Sequence, residues 1–262
     1  MPSESDRSRE RARSAPADEL KSLVHSSSEK VLLGLLENRQ VQETHILLLL
    51  ERLNLPVSVL NAIAAQSKWM ASEGVRFGLA SHPHTPKPIA LAASRHLYLL
   101  DLVRLSLLPS APTDVKRIVE EIILARLPHL PVGQKLTLAR RGPARVAGAI
   151  LGEGHAQVIK IALNNPLLAE SQILKVLAKD GVPERVVAAI AQHRKWSCRY
   201  NVRMALVRNP HTPLPCLLAF LSQLNRNDLR EIARTSELAV HLRKYIEREL
   251  ARTPGHEESE SG

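Results

Sequence analysis

Apolar residues recur at helical spacing in short segments that are bounded by proline. The run 202–207 has a helical apolar pattern, and it ends before Pro210 because the residue preceding a proline is pushed out of the helical region. Thr212 is placed as the N-cap of the following helix and Pro213 as its first residue. That helix has one apolar face, formed by Leu217, Leu218 and Leu221. The pattern predicts many short amphipathic helices.

The chain also contains an internal duplication at an offset of 127 residues. Residues 31–106 align with residues 158–233 without a gap, and 27 of the 76 aligned positions are identical. The longest shared signature is KW-x5-VR-x2-L-x3-PHTP-x-P, which begins at Lys68 in the first copy and at Lys195 in the second. Such self-similarity is typical of repeat architectures.

A shorter period lies inside each copy. Prolines recur at spacings of 45, 38 and 44 residues, at Pro83, Pro128, Pro166 and Pro210. A leucine stands at a matching place in each segment, at Leu47, Leu91, Leu136, Leu174 and Leu218. We therefore predict units of roughly 43 residues, each with three short helices that must stack on their neighbours to bury their apolar faces. The predicted units are 29–72, 73–112, 113–155, 156–199 and 200–237, followed by a capping helix over 238–251.

This period and helix pattern resemble the HEAT/armadillo class of α-solenoids, whose units contain two or three helices. The resemblance covers residues 29–251 and rests on the period rather than on a diagnostic motif. It implies an all-α fold, a right-handed α-solenoid over residues 21–252. The polar segments 1–20 and 253–262 are predicted to be disordered tails, the second of them acidic.

Composition agrees with a helical protein that is dissolved in the cytoplasm. Aromatic residues make up only 3% of the chain, whereas strand-rich domains use more of them. No apolar run approaches the roughly 20 residues that cross a membrane, and the N-terminus lacks the apolar segment of a signal peptide. Two cysteines, Cys198 and Cys216, are too few for a disulfide framework.

The net charge of +10 indicates an acidic partner without choosing among nucleic acid, protein and anionic lipid. Between residues 22 and 249 there are 30 basic and 18 acidic side chains. The basic excess therefore lies in the predicted folded region and not in the tails.

Catalytic and metal-binding motifs do not emerge from the sequence. There is no glycine-rich phosphate loop, HExxH or CxxC motif. His84 and His211 recur within PHTP, as residues of a repeated turn would. The pair His82 and His84 is a weak candidate for a metal site, because the second copy has Asn209 in place of His82. We predict no cofactor and no enzymatic activity.

Basic and aromatic residues gather at the predicted unit junctions. Each KW segment lies at such a junction, where Trp69 and Trp196 either cover the core or stack on a ligand. If the units stack in register, the junction cations form a ladder along one edge; a solvated edge with no specific ligand is the alternative interpretation. Arg140, Arg141 and Arg145 form a second basic cluster. The predicted binding residues are Lys68, Trp69, Arg76, Lys116, Arg117, Arg194, Lys195, Trp196, Arg199, Tyr200, Arg203, Arg243 and Lys244.

Two functions fit these features. The first is a non-catalytic scaffold that holds a protein or peptide on a basic solenoid surface, which is a common use of solenoids. The second is a nucleic-acid-binding protein, because HEAT-like solenoids of similar size and charge include DNA-alkylation glycosylases. No positions in this sequence match the acidic and aromatic constellation of those enzymes, so electrostatic binding is the form of the second hypothesis that the sequence supports.

Overall fold

Helices alone make up the regular structure of residues 4–234 and 240–252, the part of the chain that this computed structural model describes. The all-α expectation is confirmed for these residues. The chain divides into two units, residues 1–129 and 130–262, where the sequence predicted one solenoid domain.

Unit 1 contains ten α-helices among its described residues and ends with a short 3-10 helix over Leu127–His129. The α-helices are α1 (Glu4–Ser14), α2 (Ala17–Leu23), α3 (Glu29–Glu37), α4 (Glu43–Leu50), α5 (Val57–Ala64), α6 (Ser67–Met70), α7 (Glu73–Ser81), α8 (Lys87–Arg95), α9 (Leu99–Leu107) and α10 (Thr113–Arg126).

Unit 2 contains ten α-helices among its described residues. They are α11 (Val132–Arg141), α12 (Ala144–Glu153), α13 (Ala156–Leu163), α14 (Glu170–Leu177), α15 (Glu184–Gln192), α16 (Arg194–Ser197), α17 (Tyr200–Arg208), α18 (Leu214–Leu221), α19 (Arg226–Arg234) and α20 (Val240–Arg252).

Prolines explain where several of these helices begin. Pro56, Pro86, Pro183 and Pro213 each occupy the N-cap position, where the missing N–H leaves no helical hydrogen bond unmade. The predicted N-cap at Thr212 is therefore one residue too early. Its hydroxyl instead donates to the carbonyl oxygen of Leu206 at 2.6 Å, across the turn that precedes α18.

The 127-residue offset relates helices of unit 1 to helices of unit 2. Helices α3, α4, α7 and α9 begin at residues 29, 43, 73 and 99, and α13, α14, α17 and α19 begin 127 residues later in each case. The correspondence reaches beyond the aligned block, because α10 and α20 begin at Thr113 and Val240 and α1 and α11 end at Ser14 and Arg141. The duplicated element is thus larger than residues 31–106.

The N-terminal segment differs from the predicted tail over residues 1–20. Residues 4–14 form α1, which packs along α3 and buries Ala12 at 1% exposure. The close approach depends on Gly34, since a Cβ atom at that position would lie 2.3 Å from the carbonyl oxygen of Arg9. The other predicted tail, residues 253–262, lies outside the described residues, as do residues 238–239 of the predicted cap.

Helix packing corrects the predicted repeat length. In unit 1, α3 packs on α5, and α4, α7 and α9 pack in succession, with starts 30 and 26 residues apart. Unit 2 repeats this order, with α13 on α15 and α14 on α17. Side-chain hydrogen bonds between successive helix pairs join residues 23 to 33 positions apart. The stacked element is therefore a helix pair and not a unit of about 43 residues.

Leucine, isoleucine, valine and alanine fill the core of each unit. Leu32, Leu35 and Ile46 in unit 1 and Val158, Ile173 and Ile190 in unit 2 are fully buried. None of the described helices is long and apolar enough to cross a membrane.

Candidate binding surface

The arginine of the shared KW…VR signature has a structural role in both units. Arg76 donates from Nη1 to the carbonyl oxygens of Met70 at 2.8 Å and Ala71 at 3.1 Å. Arg203 reaches Ser197 and Cys198 in the same way, at 3.4 and 3.3 Å. Both guanidinium groups therefore satisfy carbonyls at the end of a short helix, where cations are favourable.

Both tryptophans of the signature belong to the core. Trp69 is 6% exposed and Trp196 is 1% exposed, so that neither ring offers a free face for a ligand. The Nε1–H of Trp196 donates to the carbonyl oxygen of Leu163 at 2.9 Å. Lys68 and Lys195 place their ammonium groups 4.1 and 4.3 Å from the ring centroids of Trp69 and Trp196, in cation–π contact. The core-cover interpretation holds for these two predicted binding residues.

The PHTP segments are turns held by the residue that precedes them. His82 Nδ1 accepts the N–H of His84 at 3.2 Å, and its Nε2 lies 2.8 Å from the carbonyl oxygen of Arg52. In unit 2 the amide of Asn209 makes the equivalent bonds to the N–H of His211 and the carbonyl of Leu177. No group of three His, Cys, Asp or Glu residues in the described chain could hold a metal ion.

The predicted ladder of junction cations assumed a stack of 43-residue units, and the packing assigns its members to different helices. In unit 1, α6 carries Lys68 and packs on α5 and α7, whereas α10 carries Lys116 and packs on α8 and α9. Lys116 reaches the carbonyl oxygen of Pro109 at 3.4 Å, and Arg117 is exposed. In-register stacking of these junctions is therefore not what the unit shows.

The remaining predicted residues lie in unit 2. Arg194 and Lys195 are exposed on α16, and Arg199 is 3.8 Å from Glu170. The hydroxyl of Tyr200 donates to Asp228 at 2.6 Å, which raises the pKa of that phenol through the hydrogen bond and burial. On α20, Arg243 is half-buried and Lys244 is exposed.

Charge divides unequally between the two units. Unit 1 has 16 Lys and Arg residues against 14 Asp and Glu residues, whereas unit 2 has 20 against 12. The net charges are thus +2 and +8. The basic character inferred from the whole chain is mainly a property of unit 2.

Within unit 2, exposed cations collect where α11, α13 and α15 end. We call this set the basic edge; it consists of Arg140, Arg141, Lys160, Arg194 and Lys195, all exposed. Two contacts bring the carrier helices together there. The amide of Asn165, after α13, donates to the carbonyls of Ala139 and Gly142 at 2.9 and 3.0 Å, and the Trp196 bond ties α16 to the last residue of α13.

The chain matches no protein-family model, no curated protein and no solved structure. The two copies within the chain therefore provide the comparison that separates the fold from its surface.

Unit 1 shows that the fold does not require an unpaired basic edge. Arg13, the counterpart of Arg140, forms ion pairs with Glu10 and Glu37 at 3.8 Å each. Unit 2 has Thr137 and Asn164 at the positions of those two carboxylates. None of the five basic-edge residues makes an ion pair with a described residue. The second copy has kept the arginine and lost both of its partners.

Sequence reasoning identified Arg194 and Lys195 as binding candidates and noted Arg140 and Arg141 separately, but it missed Lys160. The position-by-position comparison of the copies contained the missing signal. Ser14, Leu33 and Ser67 of unit 1 are replaced by Arg141, Lys160 and Arg194 in unit 2. A gain of charge at three aligned positions points to the surface on which the copies diverged.

Proposed function

We propose that the protein is a non-catalytic scaffold whose unit 2 binds an acidic protein or peptide partner along the basic edge. In this proposal each unit is a short α-solenoid, in which stacked helix pairs hold the edge residues in fixed positions. The support comes from five exposed cations without an ion pair, at an edge that is neutralised in unit 1. Arginine and lysine in such a setting attract carboxylates with little desolvation cost.

A protein partner accounts for the surroundings of the edge better than nucleic acid does. Leu167, two residues after Asn165, is 45% exposed and offers apolar contact of the kind found in protein interfaces. Trp196 is buried and therefore cannot stack on a base. The nucleic-acid alternative retains only electrostatic attraction, which has no dependence on base sequence.

Fluorescence anisotropy with two labelled probes tests this proposal. The first probe is a 20-residue peptide of alternating Glu and Ser, and the second is a 20-base-pair DNA duplex, each titrated with the full chain at about 0.15 M salt. We expect the peptide to bind more tightly than the duplex. The double variant Arg141→Glu, Arg194→Glu should weaken peptide binding about tenfold or more.

A control variant reverses the same number of charges on the same unit. Lys179 and Arg234 are exposed and lie where α14 and α19 end, on other helices than the basic edge. The variant Lys179→Glu, Arg234→Glu should change the peptide dissociation constant less than about threefold. Tighter binding of the duplex, or equal losses in the two variants, would contradict the proposed partner or its location.

A further inference from the structure

The cations of the basic edge lie on three successive levels of the stack. Arg140 and Arg141 end α11, Lys160 lies in the last turn of α13, and Arg194 with Lys195 lies on α16 after α15. Helix α13 packs on both α11 and α15. Each level therefore follows the previous one by a single helix-to-helix step.

The size of this step restricts the shape of a ligand that touches every level. Packed helices lie about 8–10 Å apart. A polyproline II segment completes one turn in three residues and rises about 9.3 Å per turn, so that every third side chain points the same way at nearly this spacing. A β-strand places same-side residues about 6.7 or 13 Å apart, which fits the step poorly. An α-helix would need carboxylates about seven residues apart.

We infer that the partner segment of the proposed function is an extended, polyproline II-like stretch with an acidic side chain at every third residue. This inference depends on the proposed function, because it specifies the segment that the basic edge would bind. Three of the five cations are arginines, whose guanidinium fork holds a carboxylate through two parallel hydrogen bonds. One carboxylate per level satisfies the three levels without crowding the ligand.

Exposed groups beside the edge agree with an extended ligand that runs across the helix ends. Leu167 lies in the loop before α14, and Arg199 and Tyr200 lie at the start of α17. The side chain of Asn201 donates to Glu170 at 2.9 Å, which joins these two loops. Glu170 is the carboxylate at this boundary, and Arg199 lies 3.8 Å from it. The acidic ligand should therefore end before α17, on the side of α16 away from Glu170.

The test uses two labelled nonapeptides of identical composition. The spaced peptide is Glu-Pro-Ser repeated three times, and the clustered peptide is Pro-Ser-Pro-Glu-Glu-Glu-Ser-Pro-Ser. Both carry the same charge and both are rich in proline, so that only the carboxylate spacing differs. We expect the full chain to bind the spaced peptide about tenfold more tightly than the clustered peptide in anisotropy titrations at low salt.

Variants then assign the preference to the three levels. Arg141→Glu, Lys160→Glu and Arg194→Glu should each reduce the preference for the spaced peptide to less than about threefold, and Lys179→Glu should leave it unchanged. Each variant replaces an exposed side chain, and unchanged helical circular dichroism shows that it is folded.

The outcomes separate the inference from the proposed function. If the two peptides bind equally and the three edge variants weaken both, the acidic-partner proposal stands and the spacing inference is wrong. If neither peptide binds while a DNA duplex does, the proposed function is wrong and the spacing inference is wrong with it.

Discussion

Single side chains in the two copies do the same structural work with different chemistry. Trp196 donates its indole N–H to Leu163, whereas the indole nitrogen of Trp69 is buried without a hydrogen-bond partner among the described residues. The ring packing is shared and the hydrogen bond is not. The pair therefore measures what that bond contributes.

We expect Trp196→Phe to destabilise the chain by about 1–3 kcal/mol more than Trp69→Phe does, because only the first leaves a buried carbonyl unpaired. Both changes remove similar ring volume from the core. Urea unfolding followed by circular dichroism measures the difference in midpoint. Equal midpoints for the two variants would show that the bond contributes nothing.

His82 and Asn209 form a second matched pair, in which only the histidine can be protonated. Burial lowers the pKa of His82, and its hydrogen bond to the Arg52 carbonyl and the nearby His84 act in opposite directions. Because Nδ1 must accept the His84 N–H, a second proton would break the turn. Protonation is thus favoured in the unfolded chain, so that stability is present above about pH 6.5 and is lost as the pH falls below it.

The variant His82→Asn copies the turn of unit 2 and should reduce this loss. We expect its unfolding midpoint to fall less than that of the wild type between pH 7 and pH 5. His193, whose pKa is also lowered by burial and by Lys195, would supply the pH dependence that remains. Identical pH profiles for the variant and the wild type would contradict the role of His82.

At the scale of elements, α1 is the helix whose place depends most on one residue. Gly34 lets the backbone of α1 approach α3, and a methyl group there would collide with the carbonyl of Arg9. A collision with backbone cannot be relieved by a side-chain rotation.

We expect Gly34→Ala to release α1 and to expose residues 4–14 to fast amide exchange. Gly133→Ala is the control, because a Cβ atom at Gly133 meets nothing within 4 Å. Hydrogen exchange with mass spectrometry distinguishes the two variants. Retained protection of α1 in Gly34→Ala would show that the contact is not needed.

The 44-residue period in the sequence has a physical origin that self-alignment could not reveal. Asn38, His82 and Arg126 follow one another at 44 residues, and each hydrogen-bonds to carbonyls at the end of an earlier helix. Since packed helices repeat after 26 to 30 residues, 44 residues amount to about one and a half helix pairs. The sequence showed the turns that hold the stack and concealed which helices they join.

Helix type and the duplication could be read from the sequence because apolar periodicity and identity are local signals. Helices α1 and α2 could not, since α1 is mostly charged and residues 4–30 share only four identities with residues 131–157. The basic edge was found only in part, because Lys160 lies far from Arg140 and Arg194 along the chain. Its members meet through the bonds of Asn165 and Trp196.

For the whole molecule, the two units represent one architecture with different surfaces. Unit 1 neutralises its edge with Glu10 and Glu37, and unit 2 leaves the same edge cationic. A binding function located on unit 2 explains why the buried positions of the copies agree while these exposed positions differ.

Amide hydrogen exchange of the full chain, with and without the 20-residue Glu-Ser peptide, tests this account most directly. Binding should slow exchange in the loops 164–169 and 193–199 of unit 2, while the equivalent loops 37–42 and 66–72 of unit 1 remain unchanged. Equal protection of both sets of loops, or protection confined to unit 1, would contradict it.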